Sequence, residues 1–156
     1  MSKKKQWKPD DSLLERERGQ LKGARRVTTL LSGRKLTGDR VITSQDPQVK
    51  AIQAELGYSE NMPPGFIQWQ LPTVLGRDQD VLFFSTIAAP NAVLPQHNHP
   101  EASLFRIVLQ GSILVGNQVL NVGDWMYVPE GVDYGYTAGP EGAYTHHPYK
   151  PSGPSR

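Results

Sequence analysis

From Phe66 onward every apolar run in the chain is short, and each is closed by Gly, Pro, Asn or Asp before it can extend into a long helix. Runs of this length, rich in β-branched and aromatic residues, make strands joined by tight turns, the pattern of an all-β sandwich or barrel. The predicted strands cover 66–71, 81–88, 104–109, 112–115, 118–122, 125–128, 132–137 and 143–147. Gly116-Asn117 lies between two of them and predicts a tight hairpin, because both residue types tolerate the positive backbone angles such turns need. A second reversal is expected around 138–142, which would set Tyr134 opposite His146 or His147, depending on register.

The first half of the chain has a different texture. Residues 1–40 carry 12 Lys/Arg against 5 Asp/Glu and the remainder 5 against 10, so a net charge of +2 conceals a basic head on an acidic body. Residues 1–40 read as a basic, partly disordered extension with room for a short helix over 11–21. A strand or helix lead-in follows over 41–65. Val41-Ile42-Thr43 starts a strand, and Asp46-Pro47 supplies the cap and first turn of a helix that runs to Leu56 and stops at Gly57. Residues 149–156 read as a flexible tail. Aromatic residues barely interleave with the basic ones, so the head lacks the footprint of a nucleic-acid binder.

With no cysteine, the chain has no disulfide framework, no thiolate metal site and no thiol nucleophile. Its lysine-rich start is followed by Pro9-Asp10-Asp11 rather than by a secretory apolar run, and no stretch is long enough to span a membrane. A soluble cytoplasmic protein is the expectation.

His97-Asn98-His99 is the most informative triplet, because residues i and i+2 of an extended chain project to one face and two imidazoles can converge there. Gly111 follows at a strand turn. Further on, Gly123-Asp124-Trp125-Met126-Tyr127-Val128-Pro129-Glu130-Gly131 places a glycine at fixed distance before Pro-x-Gly. These two segments resemble the two motifs of the cupin family, the first running His-x-His, a glutamate, six residues and Gly, the second Gly, five residues, Pro-x-Gly, two residues and His. The resemblance covers residues 66–148. It implies a double-stranded β-helix, or jelly-roll barrel, with an N-terminal extension containing one or two short helices.

The chain departs from the family at the residues that hold metal. Counting from Gly111, Leu104 occupies the glutamate position; counting from Gly131, Tyr134 occupies the second histidine position. Only His97 and His99 carry over, and two imidazoles alone hold a divalent ion weakly. Glu101 is the nearest carboxylate, but four residues along a straight strand is ~13 Å, too far to share an ion with His97 unless Pro100 bends the chain. His146 and His147 are the remaining histidines, and one of them should face inward.

Two functions follow from the resemblance. One is a dioxygenase-like oxidoreductase or related lyase or isomerase acting on a small organic ligand. A divalent metal, Fe(II) before Zn, Ni or Mn, would sit on His97, His99 and either His146 or His147, and Tyr134 would act as hydroxyl donor or general acid/base. Phe105, Trp125, Met126 and Tyr127 would alternate between pocket and opposite core. The other is a metal-free barrel that binds or senses a small molecule. A homodimer is expected on the general ground that open barrels leave edge strands to be covered.

Overall fold

The computed structural model of the chain describes residues 6–36, 40–72 and 80–151. A short 3-10 turn at Ser12–Leu14 leads into a small hairpin, β1 (Arg16–Glu17) and β2 (Gln20–Leu21), then α1 (Lys22–Leu31) and α2 (Pro47–Leu56). The sheet that follows comprises β3 (Phe66–Gln70), β4 (Leu82–Ala88), β5 (Val93–His97), β6 (Ala102–Val115), β7 (Gln118–Leu120), β8 (Trp125–Val128) and β9 (Tyr134–Pro151).

Two long strands organise it. β9 runs antiparallel beside β6 for most of its length, pairs with β5 through Val93↔Thr137 and His97↔Tyr134 at its start, and pairs with β4 from Ala88↔Ala143 to Leu82↔Tyr149 at its end. β6 pairs with β8 through its first half (Leu104↔Val128) and with β7 through its second (Ile113↔Leu120). Strands that change partners midway in this manner turn one continuous ladder into two facing layers, and bulges make the corners. The register of β6 on β9 shifts at Val108/Gln110 and again at Gly111/Ile113. Gly111 sits at that corner with φ +71°, and a Cβ there would collide with the carbonyl oxygen of Gly142 on the crossing strand. The glycine is thus required by backbone against backbone.

The expected reversal over 138–142 does not occur. Gly139-Pro140-Glu141-Gly142 carries β9 through a bend, so that the two strands predicted there are one, and Tyr134 pairs with His97 rather than with His146 or His147. The strands predicted at 104–109 and 112–115 are likewise continuous. The hairpin at Gly116-Asn117 forms as expected, closing on Val115↔Gln118.

The N-terminal segment also departs from its reading. Over 6–36 it is folded onto the barrel rather than loose, because Gly23, Ala24 and Val27 make one small apolar face on α1 that beds against the sheet. With Leu14, Leu21, Ile52, Leu56, Leu82, Phe84 and Ala102 this face forms an apolar cluster. Asp80 fastens the hairpin to the sheet, accepting from the Leu21 amide at 2.8 Å and pairing with Arg16 at 2.6 Å. The side chain of Gln70, wholly buried, accepts from Arg26 and donates to the Gly23 carbonyl. α2 begins as expected, with the Asp46 carboxylate accepting from the Gln48 amide at 2.8 Å and Pro47 in the first turn, and it ends at Gly57. Val41–Thr43, expected as a strand, is irregular and Val41 is exposed. Tyr149 to Pro151, expected as tail, complete β9. Residues 1–5, 37–39 and 152–156, where the remaining extension and tail expectations fall, lie outside the described residues.

Candidate functional site

Alternation fixes what faces the barrel interior. On β6 the inward positions are Leu104, Arg106 and Val108, all buried; on β9 they are Tyr134, Tyr136, Ala138, Thr145 and His147. A cavity of about 330 Å³ opens at one end of this interior, near the lower limit of the ~300–1,000 Å³ common for small-molecule sites. His97, His99, Arg106, Tyr134, Tyr136 and Tyr149 line it, with Phe66, Phe84 and Leu94 as apolar wall and Thr86 as a further hydroxyl.

The two motif histidines meet here, their rings 5.1 Å apart and nearly perpendicular. His97 donates from Nδ1 to the Pro95 carbonyl at 2.7 Å, which fixes its tautomer and leaves Nε2 as the open nitrogen. Burial, with lesser contributions from His99 and Arg106, pushes the His97 pKa down to about 4, so the ring is neutral at ordinary pH. His99 donates from Nδ1 to the Asp11 carboxylate at 2.8 Å. Its Nε2 lies 3.3 Å from the Tyr134 hydroxyl and 3.4 Å from that of Tyr149. Burial pushes the Tyr134 pKa up to about 12 and raises that of Tyr149 well above the usual phenol value, so both phenols keep their protons.

Residues ahead of α1 cover the opening. Besides the Asp11–His99 bond, Trp7 donates from its indole to the Asn61 carbonyl at 3.1 Å and packs edge-on against His97 at 5.0 Å. The Asn61 amide returns a bond to the Lys8 carbonyl at 2.7 Å.

Arg106 is the residue that motif matching passes over. Its side chain is buried at 3% exposure, donating from Nη1 to Thr145 Oγ1 at 2.7 Å and to the Tyr136 hydroxyl at 3.4 Å, with the Tyr136 ring 5.1 Å from the guanidinium carbon. Its Nε has no hydrogen-bond partner. Among the described residues none of the ion pairs includes it. Burial works against its charge, but the surrounding tyrosines Tyr136, Tyr134 and Tyr149 outweigh that and hold its pKa above the ordinary value, so it stays a cation. Desolvating a guanidinium costs several kcal/mol, and neutral hydroxyls offset that only in part. A signal was available in sequence: Arg106 is the one charge in Leu104-Phe105-Arg106-Ile107-Val108-Leu109, at an inward position of the alternation.

The other expected site residues lie elsewhere. His146 is on the outer face, its Nε2 2.9 Å from the Tyr144 hydroxyl and its ring edge-on to Phe83, so it cannot share an ion with His97 and His99. His147 does face inward and is fully buried, but it stacks on Phe84 at 5.5 Å, both its nitrogens lack partners, and it is not among the cavity-lining residues. Burial first, then Arg106, holds its pKa well below the usual histidine value. Glu101 is exposed at the turn before β6, away from the cavity lining. Phe105, Trp125 and Tyr127 are on the outer face, where Phe105 stacks on Trp125 at 5.0 Å; only Met126 turns inward, half-buried against the core.

No sequence-family model matches the chain, and no curated protein matches it in sequence. Solved structures match in fold. KdgF from Halomonas sp. is 17% identical with a TM-score of 0.51, the match covering 64% of this chain and 90% of that one. An RmlC-like cupin from Shewanella frigidimarina is 21% identical with a TM-score of 0.50, covering 64% and 86%. This chain has the cupin fold. Oxalate decarboxylase from Bacillus subtilis aligns over 64% of this chain, at 15% identity and a TM-score of 0.52, and the match covers 28% of that longer protein. At such identities the likeness extends to the fold alone.

Within a cupin the positions to test for a metal are those of His97, His99, Leu104 and Tyr134. Leu104 is apolar, buried in the barrel core. Tyr134 does reach the histidine pair, its ring 4.4 Å from that of His97, but as a protonated phenol it is a poor ligand. Among the described residues no three His, Asp or Glu side chains come together in a metal-binding group. Arg106 adds a fixed positive charge to the same cavity. The donor set therefore does not fit a tightly held divalent ion. Also among the described residues, no helix is long and apolar enough to cross a membrane.

Proposed function

We propose that this cupin is a metal-independent binding barrel, taking a small organic molecule into the cavity behind the N-terminal segment, and acts as a binder or sensor. The observation that carries this reading is the uncompensated guanidinium of Arg106 inside the cavity, beside the only two family ligands that remain. A divalent cation at the histidine pair would meet two imidazoles and protonated phenols with the guanidinium of Arg106 behind them, whereas an organic ligand would meet hydroxyls, imidazoles and apolar walls.

The retained pair favours one competing reading, a divalent ion held by His97 and His99 in a dioxygenase-like enzyme with Tyr134 as acid/base. His97 is neutral and presents Nε2, as a metal ligand must. Elemental analysis separates the two. Protein purified without tag or chelator, then offered Fe(II), Mn(II), Ni(II) or Zn(II) anaerobically, is expected to hold far less than a stoichiometric ion. A stoichiometric ion that disappears in a His97→Ala/His99→Ala double variant would sink the metal-independent reading and restore the enzyme.

A further inference from the structure

We infer that the ligand carries a carboxylate, seated on Arg106 at the buried end of the cavity, with a small uncharged body against the apolar wall. This rests on the metal-independent reading above and assigns the class of molecule it would bind.

A cation desolvated this completely and left without a carboxylate partner is unusual, because buried charges are ordinarily paired. The side-chain bonds of Arg106 go to neutral hydroxyls, those of Thr145, Tyr136 and Tyr134, and its Nε has none. An oxyanion placed on the guanidinium supplies the missing countercharge through charge-assisted bonds. The neighbouring groups are donors as well. With Nδ1–H committed to Asp11, Nε2 is the remaining ring nitrogen of His99, and the hydroxyls of Tyr134 and Tyr149 both lie within reach of it. Only one can donate there at a time, which leaves the other proton for a ligand.

The class is narrowed from both ends. Phe66, Phe84 and Leu94 offer apolar wall that an inorganic anion would leave uncovered. Towards the opening the cavity is lined by Asp10, Asp11 and Glu60, with Asp10 and Glu60 exposed, so a second anionic group at that end would meet like charge. Arg26, the other guanidinium on the wall, is already bonded to Gln70 at 2.7 Å. A monocarboxylate satisfies all three conditions.

The test titrates the full chain calorimetrically with benzoate and isobutyrate, with their neutral amides benzamide and isobutyramide, and with inorganic phosphate, each with and without EDTA. At least one carboxylate is expected to bind about tenfold or more tightly than its amide, with no effect of EDTA. Arg106→Lys, which keeps the charge but loses the planar fork, should weaken that carboxylate about tenfold and leave the amide unchanged. Arg106→Met should reduce the carboxylate to the level of the amide; if that variant does not fold by far-UV circular dichroism, Arg106→Lys decides. Amides binding as well as carboxylates, phosphate binding as well as benzoate, no carboxylate binding at all, or unaltered carboxylate affinity in the Lys variant would each overturn the inference. The metal-independent reading survives those results. Loss of binding in EDTA would instead overturn that reading, since the carboxylate would then be sitting on a metal.

Discussion

Between the helices and the sheet the buried apolar set is Leu14, Leu21, Ala24, Val27, Ile52, Leu56, Leu82, Phe84 and Ala102, joined by the hydrogen-bonded side chain of Gln70. Inside the barrel, Val108, Ile113 and Ala138 share the interior with Arg106, Thr145, His147 and the tyrosines and histidine pair at the cavity. Both regions exclude water, but only the first gains stability from doing so in the ordinary way. The second sacrifices part of that gain to hold a charge and hydrogen-bonding groups where a ligand can use them, as sites for specific binding do. Stability and function therefore lean on different positions, with Leu14, Leu56, Leu82 and Phe84 shared at the boundary.

The comparison breaks first if the apolar cluster proves unimportant. Ile52→Ala empties a fully buried position and should cost about 2–5 kcal/mol in urea denaturation. Carboxylate affinity in the folded fraction should not change. Arg106→Met should move the other way, between neutral and about 4 kcal/mol more stable, because an apolar side chain of similar length avoids desolvating a charge. Equal destabilisation by the two substitutions would mean that both regions are simply core.

Acid sharpens the contrast. His97 has its pKa lowered to about 4 and His147 is also lowered, against an ordinary value of 6.5. Below 6.5 the unfolded chain binds protons that these folded imidazoles refuse. Their contribution to stability is therefore full above pH 6.5 and is lost as pH falls towards 4, at the barrel and not at the helices. A His97→Gln variant should show a flatter urea midpoint between pH 7 and pH 5 than the parent; an identical slope would locate the acid sensitivity elsewhere. The smallest effect belongs to the helical layer's periphery. Asp46→Ala removes the cap of α2 and should cost about 1 kcal/mol by thermal denaturation, with no change in ligand affinity.

Local chemistry made much of this fold legible. β8, the hairpin at Gly116-Asn117 and the start of α2 depend on residues within a few positions of one another, and each falls where the sequence places it. What escaped depends on distant partners. Gly139-Pro140 looks like a turn, yet pairing with β5 on one side and β4 on the other keeps β9 extended through it. β5 carries Pro95 and Gln96 in only five residues and lacks any run of apolar signal. The extension over 6–36 is polar on average, but α1 needs only a narrow face of small residues to dock. At the candidate site, spacing picked out His97 and Tyr134, which pair across one ladder, and His99 two residues beyond it. Arg106 belongs to no motif, and alternation on β6 alone marks it.

The continuity of β9 bears on how the molecule is made. Each half of that strand completes a different layer, so β4 and β5 lack their common neighbour until the segment around Tyr149 has left the ribosome. During synthesis their edges stay open, and pairings of such long separation in sequence form slowly. The α1/α2 cluster also waits, since Leu82 lies at the end of β4 where Tyr149 pairs with it. Assembly of the barrel therefore waits for β9, and until that strand emerges the edges of β4 and β5 are in need of protection.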